Sequence, residues 1–363
     1  MLTNSYICIR KANFKATLAE QPNTDKNIKL MEFVENLRCP ITKNKLELIS
    51  KAEFDGYLIP SELDVFGELK QGLIDDSKQF FYPIFNDIII LYEHYAIYIG
   101  NDFDNRHSLS FDKKRVLDYY NKVNYQVKDS YTKASRHYPP TGKYLLDIAS
   151  GPIGFPEYIA LSEGYEYRIC VDISINALME AKANLENAGQ KGIYICGDIT
   201  NIPMKDQICD TVLCQHTLYH IPRKEQSTAV NEMYRVAKNN SKIVIIYCWF
   251  YNSWMMNLTL NFVQIYRVTR HYAGKLYVRF VNSKPKLYFF AHSPRWFKKS
   301  FTFGKDIEFY CWRSTNKFFM DTYIHKNLGG KWMLKKLGEI EDKHSKFMST
   351  FGEYAAIVIT KKE

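Results

Sequence analysis

The sequence predicts an α/β protein with a mostly parallel main sheet, preceded by a small β-rich module, and three observations carry that prediction. From about residue 143 onward, short β-branched or apolar runs alternate with helical patterns, as strands buried on both faces require. Upstream, short alternating segments punctuated by Pro40, Pro60 and Pro83 have the two-residue period of half-exposed strands. The chain has 363 residues, 46% of them hydrophobic, which allows more than one domain and a sizeable core. That composition excludes a wholly disordered, collagenous or polytopic membrane protein.

A polar tail covers residues 1–27, and the β-rich module covers 28–98, with strand-like runs at Lys45–Ile49, Tyr57–Ile59 and Phe80–Tyr92. Alone, such a module has little core. Residues 99–363 form the main domain. Its pattern turns helical from Phe111 through Tyr119, Tyr120 and Val123, until Pro139-Pro140-Thr141-Gly142 breaks the helix and changes the architecture. Strands are expected at Tyr144–Ile148, Arg168–Val171, Ile193–Cys196, Thr211–Cys214 and Ile243–Tyr247. Between them, Ser174 is the expected N-cap of a helix whose apolar face is Leu178, Ala181 and Leu185, and Gly189 is the left-handed stop. A later helix carries Ala229, Met233, Val236 and Ala237 on one face. Strand–helix–strand repetition implies right-handed crossovers and a ligand site beyond the carboxyl ends of the strands. Before a further strand at Ile307–Trp312, residues 249–305 form an inserted lid.

The formal charge is +10, and it is concentrated: residues 267–363 hold 20 Lys/Arg against 8 Asp/Glu. From Arg267 to Gly304 there are no acids, while aromatic residues recur among the bases. Such a stretch is a solvated lid face or an attractor of anions. The eight cysteines show no C-x-x-C pair, so neither a disulfide framework nor a metal site is expected, and a reducing, cytoplasmic compartment follows. Polar residues from Thr3 onward interrupt any secretory signal, and the bases Arg10, Lys11 and Lys15 keep only a transit-peptide reading open. Asn252, Ser253, Asn257, Thr259, Asn261 and Gln264 interrupt the uncharged stretch 243–266. It therefore reads as a strand running into an amphipathic lid rather than as a membrane span.

The expected strand ends carry the chemistry. The first reads Asp147-Ile148-Ala149-Ser150-Gly151-Pro152-Ile153-Gly154, an acid leaving a buried strand into a glycine turn. The second ends at Asp172, 21 residues after Gly151, the separation of an acid that grips a ribose diol. At the third, Asp198 is placed to accept from an adenine amino group and Ile199 to cover the ring. The fourth runs into Gln215-His216-Thr217-Leu218-Tyr219-His220. A dinucleotide is disfavoured, because Pro152 removes an amide donor and Ile153 adds a branched side chain where a pyrophosphate needs bare backbone. S-adenosylmethionine (SAM) carries no phosphate.

With these residues, Lys143–Tyr247 resembles the class I SAM-dependent methyltransferases, particularly their small-molecule group. The resemblance implies a Rossmann-like sheet with an antiparallel last strand and SAM as cofactor. It also implies Asp147 and Gly151 at the methionine part, Asp172 at the ribose and Asp198 with Ile199 at the adenine; Ala149, Ile173 and Gln215 are further cofactor-binding candidates. Ala149 and Ile153 stand where that family usually has its first and third glycines. A second resemblance joins Leu37–Leu46 to Tyr82–Ile88: together they are similar to the small zinc-ribbon modules that activate methyltransferases. Thr42 replaces a second cysteine and Asp87 the usual turn glycine, so Cys39 is read as a small buried side chain in a metal-free module.

Methyl transfer from a sulfonium is an in-line displacement that needs alignment and exclusion of water. An acceptor hydroxyl adds the need for a base, for which His220 and His216 are the catalytic candidates. Tyr219, Trp249, His292 and Arg295 are the candidate acceptor contacts. The segments Tyr288–Phe297 and Gly352–Ile359 look similar to methyltransferases of glycan or surface-polysaccharide synthesis. That similarity implies a small-molecule or glycan acceptor, lipid-linked or phosphorylated, methylated at oxygen. Two alternatives stay open at this point. One is an RNA methyltransferase, since basic and aromatic residues also bind phosphates and bases. The other is a SAM-binding regulatory protein without catalysis. An anionic membrane surface is a further partner the basic segment would suit.

Overall fold

The computed structural model describes residues 32–50, 71–92 apart from Gln79, 130–261 and 288–363, with isolated positions at 53, 265, 269, 272 and 273. The N-terminal tail, the Tyr57–Ile59 run and the Phe111–Val123 helix lie outside these residues.

Four short strands come first: β1 (Leu46–Ser50), β2 (Gln71–Asp75), β3 (Phe81–Phe85) and β4 (Ile88–Ile90). They form an antiparallel meander. β2 escapes the sequence reading because Gly72 and Asp75 blur its alternation. The expected run Phe80–Tyr92 divides at Asn86 (φ 50°) and Asp87 (φ 63°). Two successive left-handed residues make the tight turn whose twist matches a hairpin, and Asn and Asp tolerate that conformation best after glycine.

The main domain follows with β5 (Gly142–Ile148), α1 (Pro156–Ile159), β6 (Tyr165–Asp172), α2 (Ile175–Asn187) and β7 (Gly192–Cys196). Next come β8 (Cys209–Gln215), α3 (Gln226–Val236), β9 (Ala237–Cys248), α4 (Trp254–Thr259), α5 (Pro294–Ser300) and β10 (Ile307–Arg313). The chain ends with α6 (Lys317–Tyr323), α7 (Gly330–Lys343), α8 (Ser345–Phe351) and β11 (Tyr354–Thr360). Helix α2 is built as its sequence dictates. The Ser174 hydroxyl accepts from the amide of Ala177 at 3.2 Å, and Leu178, Ala181 and Leu185 are buried. At its other end Gly189 (φ 71°) lets its own amide reach the carbonyl of Glu186 and that of Gln190 reach Leu185, which closes the helix. One boundary differs from expectation: Ala237 is the first residue of β9 rather than part of the preceding helix. Its backbone pairs with Cys209, and the register then shifts before Lys242 meets Thr211.

All eleven strands join one sheet, in the order β1-β2-β3-β4-β7-β6-β5-β8-β9-β11-β10. From β4 to β9 every neighbouring pair is parallel. β11 is antiparallel to both of its neighbours, so the main domain has a Rossmann-like, mostly parallel sheet with the last strand inserted in reverse. The module is not a separate bead. β4 pairs in parallel with β7, and Leu37, Cys39, Leu46, Leu73, Tyr82 and Ile84 belong to the same apolar cluster as Ile148, Val171 and Ile195. A four-strand meander cannot bury its own apolar face; this one borrows the main domain's. Cys39 is fully buried, with its sulfur 3.0 Å from the Tyr82 hydroxyl and accepting from the Thr42 amide at 3.3 Å. Among the described residues, no helix is long and apolar enough to cross a membrane.

Candidate active site

Strand order reverses between β5 and β8: from β5 the chain crosses outward to β6 and β7, then returns to place β8 on the other side. At such a switch point the loops leave in opposite directions and a crevice opens beyond the carboxyl ends. The register brings the expected acids to that edge. Asp147 pairs across to Cys170 and Leu213, and Asp172 to Cys196.

The turn after β5 is held open by left-handed backbone. Ala149 (φ 54°), Gly151 (φ 57°) and Ile153 (φ 46°) all occupy the region that glycine enters without cost, and for a β-branched residue the conformation is strained by about 1–3 kcal/mol. Burial of the Ile153 side chain against Ile175 and Leu178 offsets that strain. The turn therefore keeps a glycine-like path with only one glycine of three. No atom lies within 4 Å of where a Cβ would stand on Gly151 or Gly154, so a ligand can lie directly on this backbone.

Asp172 organises the turn. One of its carboxylate oxygens accepts from the amide of Gly151 at 2.9 Å and the other from the amide of Ser174 at 2.9 Å. Each oxygen retains a second lone pair for a further donor. Ile173 is half-buried beside it, and Cys196 donates to its carbonyl at 3.6 Å. After β7, Asp198 accepts from the amide and hydroxyl of Thr200 at 2.7 and 2.8 Å, and Ile199 is buried next to it. After β8, the side-chain oxygen of Gln215 is buried with no hydrogen-bond partner, a costly state that a ligand donor would relieve.

Asp147 has a partner that sequence reasoning did not assign. Arg168, in β6, directs Nε at 3.1 Å and also Nη2 to one Asp147 oxygen. Its other terminal nitrogen donates to the carbonyl of Tyr158 at 2.6 Å and the hydroxyl of Ser162 at 3.2 Å. Burial raises the Asp147 carboxyl above its ordinary value, and the Arg168 guanidinium opposes that rise. The signal was a single cation inside an otherwise apolar run, Tyr167-Arg168-Ile169-Cys170-Val171.

The other side of the crevice is aromatic. His216 (φ 57°) packs edge-on against Trp312 at 4.6 Å and Tyr354 at 5.6 Å. Burial, with Arg313 and His220 adding positive charge, lowers its imidazole to about 3, so it is neutral at physiological pH. His220 sits four residues on, its Nδ1 2.8 Å from the carbonyl of Tyr288. A carbonyl only accepts, so Nδ1 carries the proton and Nε2 is the basic nitrogen of the neutral ring. Tyr219 is buried between His220, Tyr247 and Phe289, with centroids 4.6, 5.6 and 5.1 Å away.

A bonded network fixes the lid segment after Tyr288 over this loop. Phe290 donates its amide to the carbonyl of Tyr219 at 2.8 Å, and Gln226 donates to the carbonyls of Ile221 and Phe290 at 3.0 and 2.9 Å. The Tyr247 hydroxyl receives the amide of His292 at 2.8 Å and donates to Gln226 at 3.2 Å. The His292 ring stacks on Trp296 at 3.8 Å, its Nε2 is buried without a hydrogen bond, and burial lowers its imidazole. Arg295 is exposed on α5. Trp249 departs from its expected place. It is fully buried against Tyr247, Phe297 and Phe309, and its indole donates to the carbonyl of Ser349. No face of Trp249 is left for an acceptor; its position just past a strand end concealed a core role.

Residues 146–245 match the methyltransferase domain family. Those residues of the chain carry a methyltransferase domain. The bare Gly151 and Gly154 backbone, the carboxylates of Asp172 and Asp198 and the unpartnered Gln215 oxygen fit SAM. Uncharacterized protein MJ0638 of Methanocaldococcus jannaschii is 32% identical over 93 residues, 26% of this chain and 36% of that protein. The chain thus spans about a third of the length of the curated relative it matches. Among solved structures, protein BH2331 of Bacillus halodurans is 25% identical with a TM-score of 0.31, over 34% of this chain and 56% of that one. A complex of the Haloferax volcanii Trm112 methyltransferase activator with a candidate methyltransferase is 14% identical with a TM-score of 0.42, over 72% and 98%. Haemonchus contortus phosphoethanolamine N-methyltransferase 2 with SAM is 16% identical with a TM-score of 0.39, over 65% and 53%.

Proposed function

We propose that the chain methylates a hydroxyl of a small molecule or glycan, using His220 as the base. The observation that carries this reading is the bond from His220 Nδ1 to the carbonyl of Tyr288 at 2.8 Å. It fixes the tautomer, as the buried partner of a catalytic histidine does elsewhere, and it joins the base to the lid. Bound SAM supplies an electrophilic methyl group on sulfur. As the sulfur–methyl bond breaks and S-adenosylhomocysteine leaves, the methyl would pass to the acceptor oxygen, whose proton Nε2 of His220 would take up. Tyr219 and Phe289 wall the crevice and keep water from it. Asp172 would hydrogen-bond the ribose diol through its remaining lone pairs. Asp198 and Ile199 would hold the adenine, and Ala149, Gly151 and Gln215 would hold the methionine part. Asp147, through its pair with Arg168, fixes the strand end beneath.

The N-terminal module is, on this reading, a built-in counterpart of a methyltransferase activator, supported by its parallel pairing with β7 and its shared core. It extends the sheet on the side where the adenine would lie.

The test is incubation with SAM carrying a labelled methyl group and pools of glycans and polar metabolites, with mass spectrometry to find the labelled product and atom. Label on a hydroxyl, with His220→Gln lowering kcat by about 10²–10⁴ and leaving SAM affinity within about twofold, is the expected result. Label on nitrogen or on RNA, or equal losses of turnover and SAM affinity, rejects the reading.

A further inference from the structure

A second cavity, of about 560 Å³, lies between the turn at Thr132–His137, the carboxyl end of β10 and helix α7. Five cations line it: Lys133, Arg136, Arg313, Lys331 and Lys335. Three acids, Glu339, Glu341 and Asp342, line it as well. Those acids are engaged close by. Lys133 bonds Glu341 at 2.9 Å, Arg136 bonds Asp342 at 3.0 Å, and Lys336 bonds Glu339 at 2.7 Å. Glu341 also receives the amide and hydroxyl of Ser314, both at 2.7 Å. Five cations against three acids leave the lining a net surplus of two positive charges, the magnitude of a phosphate dianion. Lys331 and Lys335 are one helical turn apart on the same face. Gly338 follows, with no atom within 4 Å of where a Cβ would stand. A glycine in a helix interior is unfavourable, and here it leaves the cavity wall low.

The cavity adjoins the methyl-transfer crevice. Arg313 packs over Trp312 at 5.0 Å and Tyr354 at 4.8 Å, the same two rings that flank His216. Arg313 thus reaches from this cavity to the aromatic wall of that crevice. We propose that this cavity binds a phosphate group, and that it is the subsite for a phosphate-bearing part of the acceptor. The second half of that statement rests on the methyltransferase reading; phosphate binding does not. A lone ion and a phosphorylated acceptor share this chemistry, and a paired probe distinguishes them.

The experiment is calorimetric titration of the full chain at fixed ionic strength with inorganic phosphate, with glucose 1-phosphate and with SAM. Lys331→Glu/Lys335→Glu should weaken phosphate at least tenfold. SAM affinity should stay within twofold. Lys224→Glu/Lys299→Glu, which makes the same charge change elsewhere, should leave phosphate affinity nearly unchanged. Gly338→Trp, which fills the cavity without altering charge, should weaken glucose 1-phosphate more than phosphate. Equal loss in the two double variants would mean a general charge effect and overturn the site, as would unaltered phosphate affinity in Lys331→Glu/Lys335→Glu. Phosphate binding that survives while SAM fails to bind the parent protein would leave the site standing and sink the methyltransferase reading instead. Tighter binding of phosphate than of glucose 1-phosphate in the parent protein would overturn the acceptor subsite.

Discussion

The two halves of the crevice are built by different means. On the β5–β6–β7 side, the contacts are backbone amides to carboxylates at most 21 residues apart: Gly151 and Ser174 donate to Asp172, and Thr200 to Asp198. On the β8–β9–β11–β10 side, the walls are side chains from distant parts of the chain, with His216 against Trp312 and Tyr354, and His220 against the lid at Tyr288. A cofactor of constant shape can be gripped by local turns. An acceptor pocket is free to vary, because it is assembled from long-range packing.

The comparison is open to attack at its strongest point first. Arg168→Met leaves Asp147 buried and uncompensated, so unfolding by denaturant should show a loss of about 3–5 kcal/mol. Replacing both partners with apolar residues of similar volume should recover most of it. A loss below 1 kcal/mol would mean that the pair does not anchor the cofactor half.

Asp172→Ala removes two amide acceptors from the turn. SAM affinity measured by calorimetry should fall by about 1.5–3 kcal/mol, the scale of hydrogen bonds to a charged group. Unchanged affinity would detach the ribose role from this residue.

On the aromatic side, His216 supplies a pH effect. Its folded value of about 3 lies below the ordinary 6.5, so between these limits the unfolded state binds more protons. Stability should fall as pH drops from 6.5 toward 3, by up to about 1.4 kcal/mol per unit from this one group. In His216→Gln that acid limb of the stability profile should be shallower by as much as one proton; an unaltered slope would place the imidazole in water.

The smallest effect is expected at α7. Gly338→Ala enters open space and should stabilise the protein by about 0.5–1 kcal/mol, read as a rise in Tm. Destabilisation would mean that the helix needs its glycine for close packing.

Much of the candidate cofactor half was legible in the sequence. Asp147, Asp172, Asp198 and Gln215 lie at strand ends because apolar runs of strand length stop there. The helix cap at Ser174 and the stop at Gly189 were likewise written locally. Less legible was the conformation of Ala149 and Ile153: the side chains do not announce a left-handed backbone that packing enforces. Trp249 shows the limit most plainly. Its place in sequence suits a pocket wall, but the fold covers it with Ser349 and Phe297, respectively 100 and 48 residues away.

The sequence by itself determined the alternation of strands and helices, the parallel sheet and the acids at its carboxyl edge. These follow from hydrophobic period and from turn chemistry within a few residues. Only the tertiary structure decided that the N-terminal meander would extend the same sheet, that Arg168 would neutralise Asp147, and that the lid would fix the tautomer of His220. Each of those joins segments far apart in the chain. The energy of such contacts comes from burial and complementary charge after collapse, which no local pattern encodes.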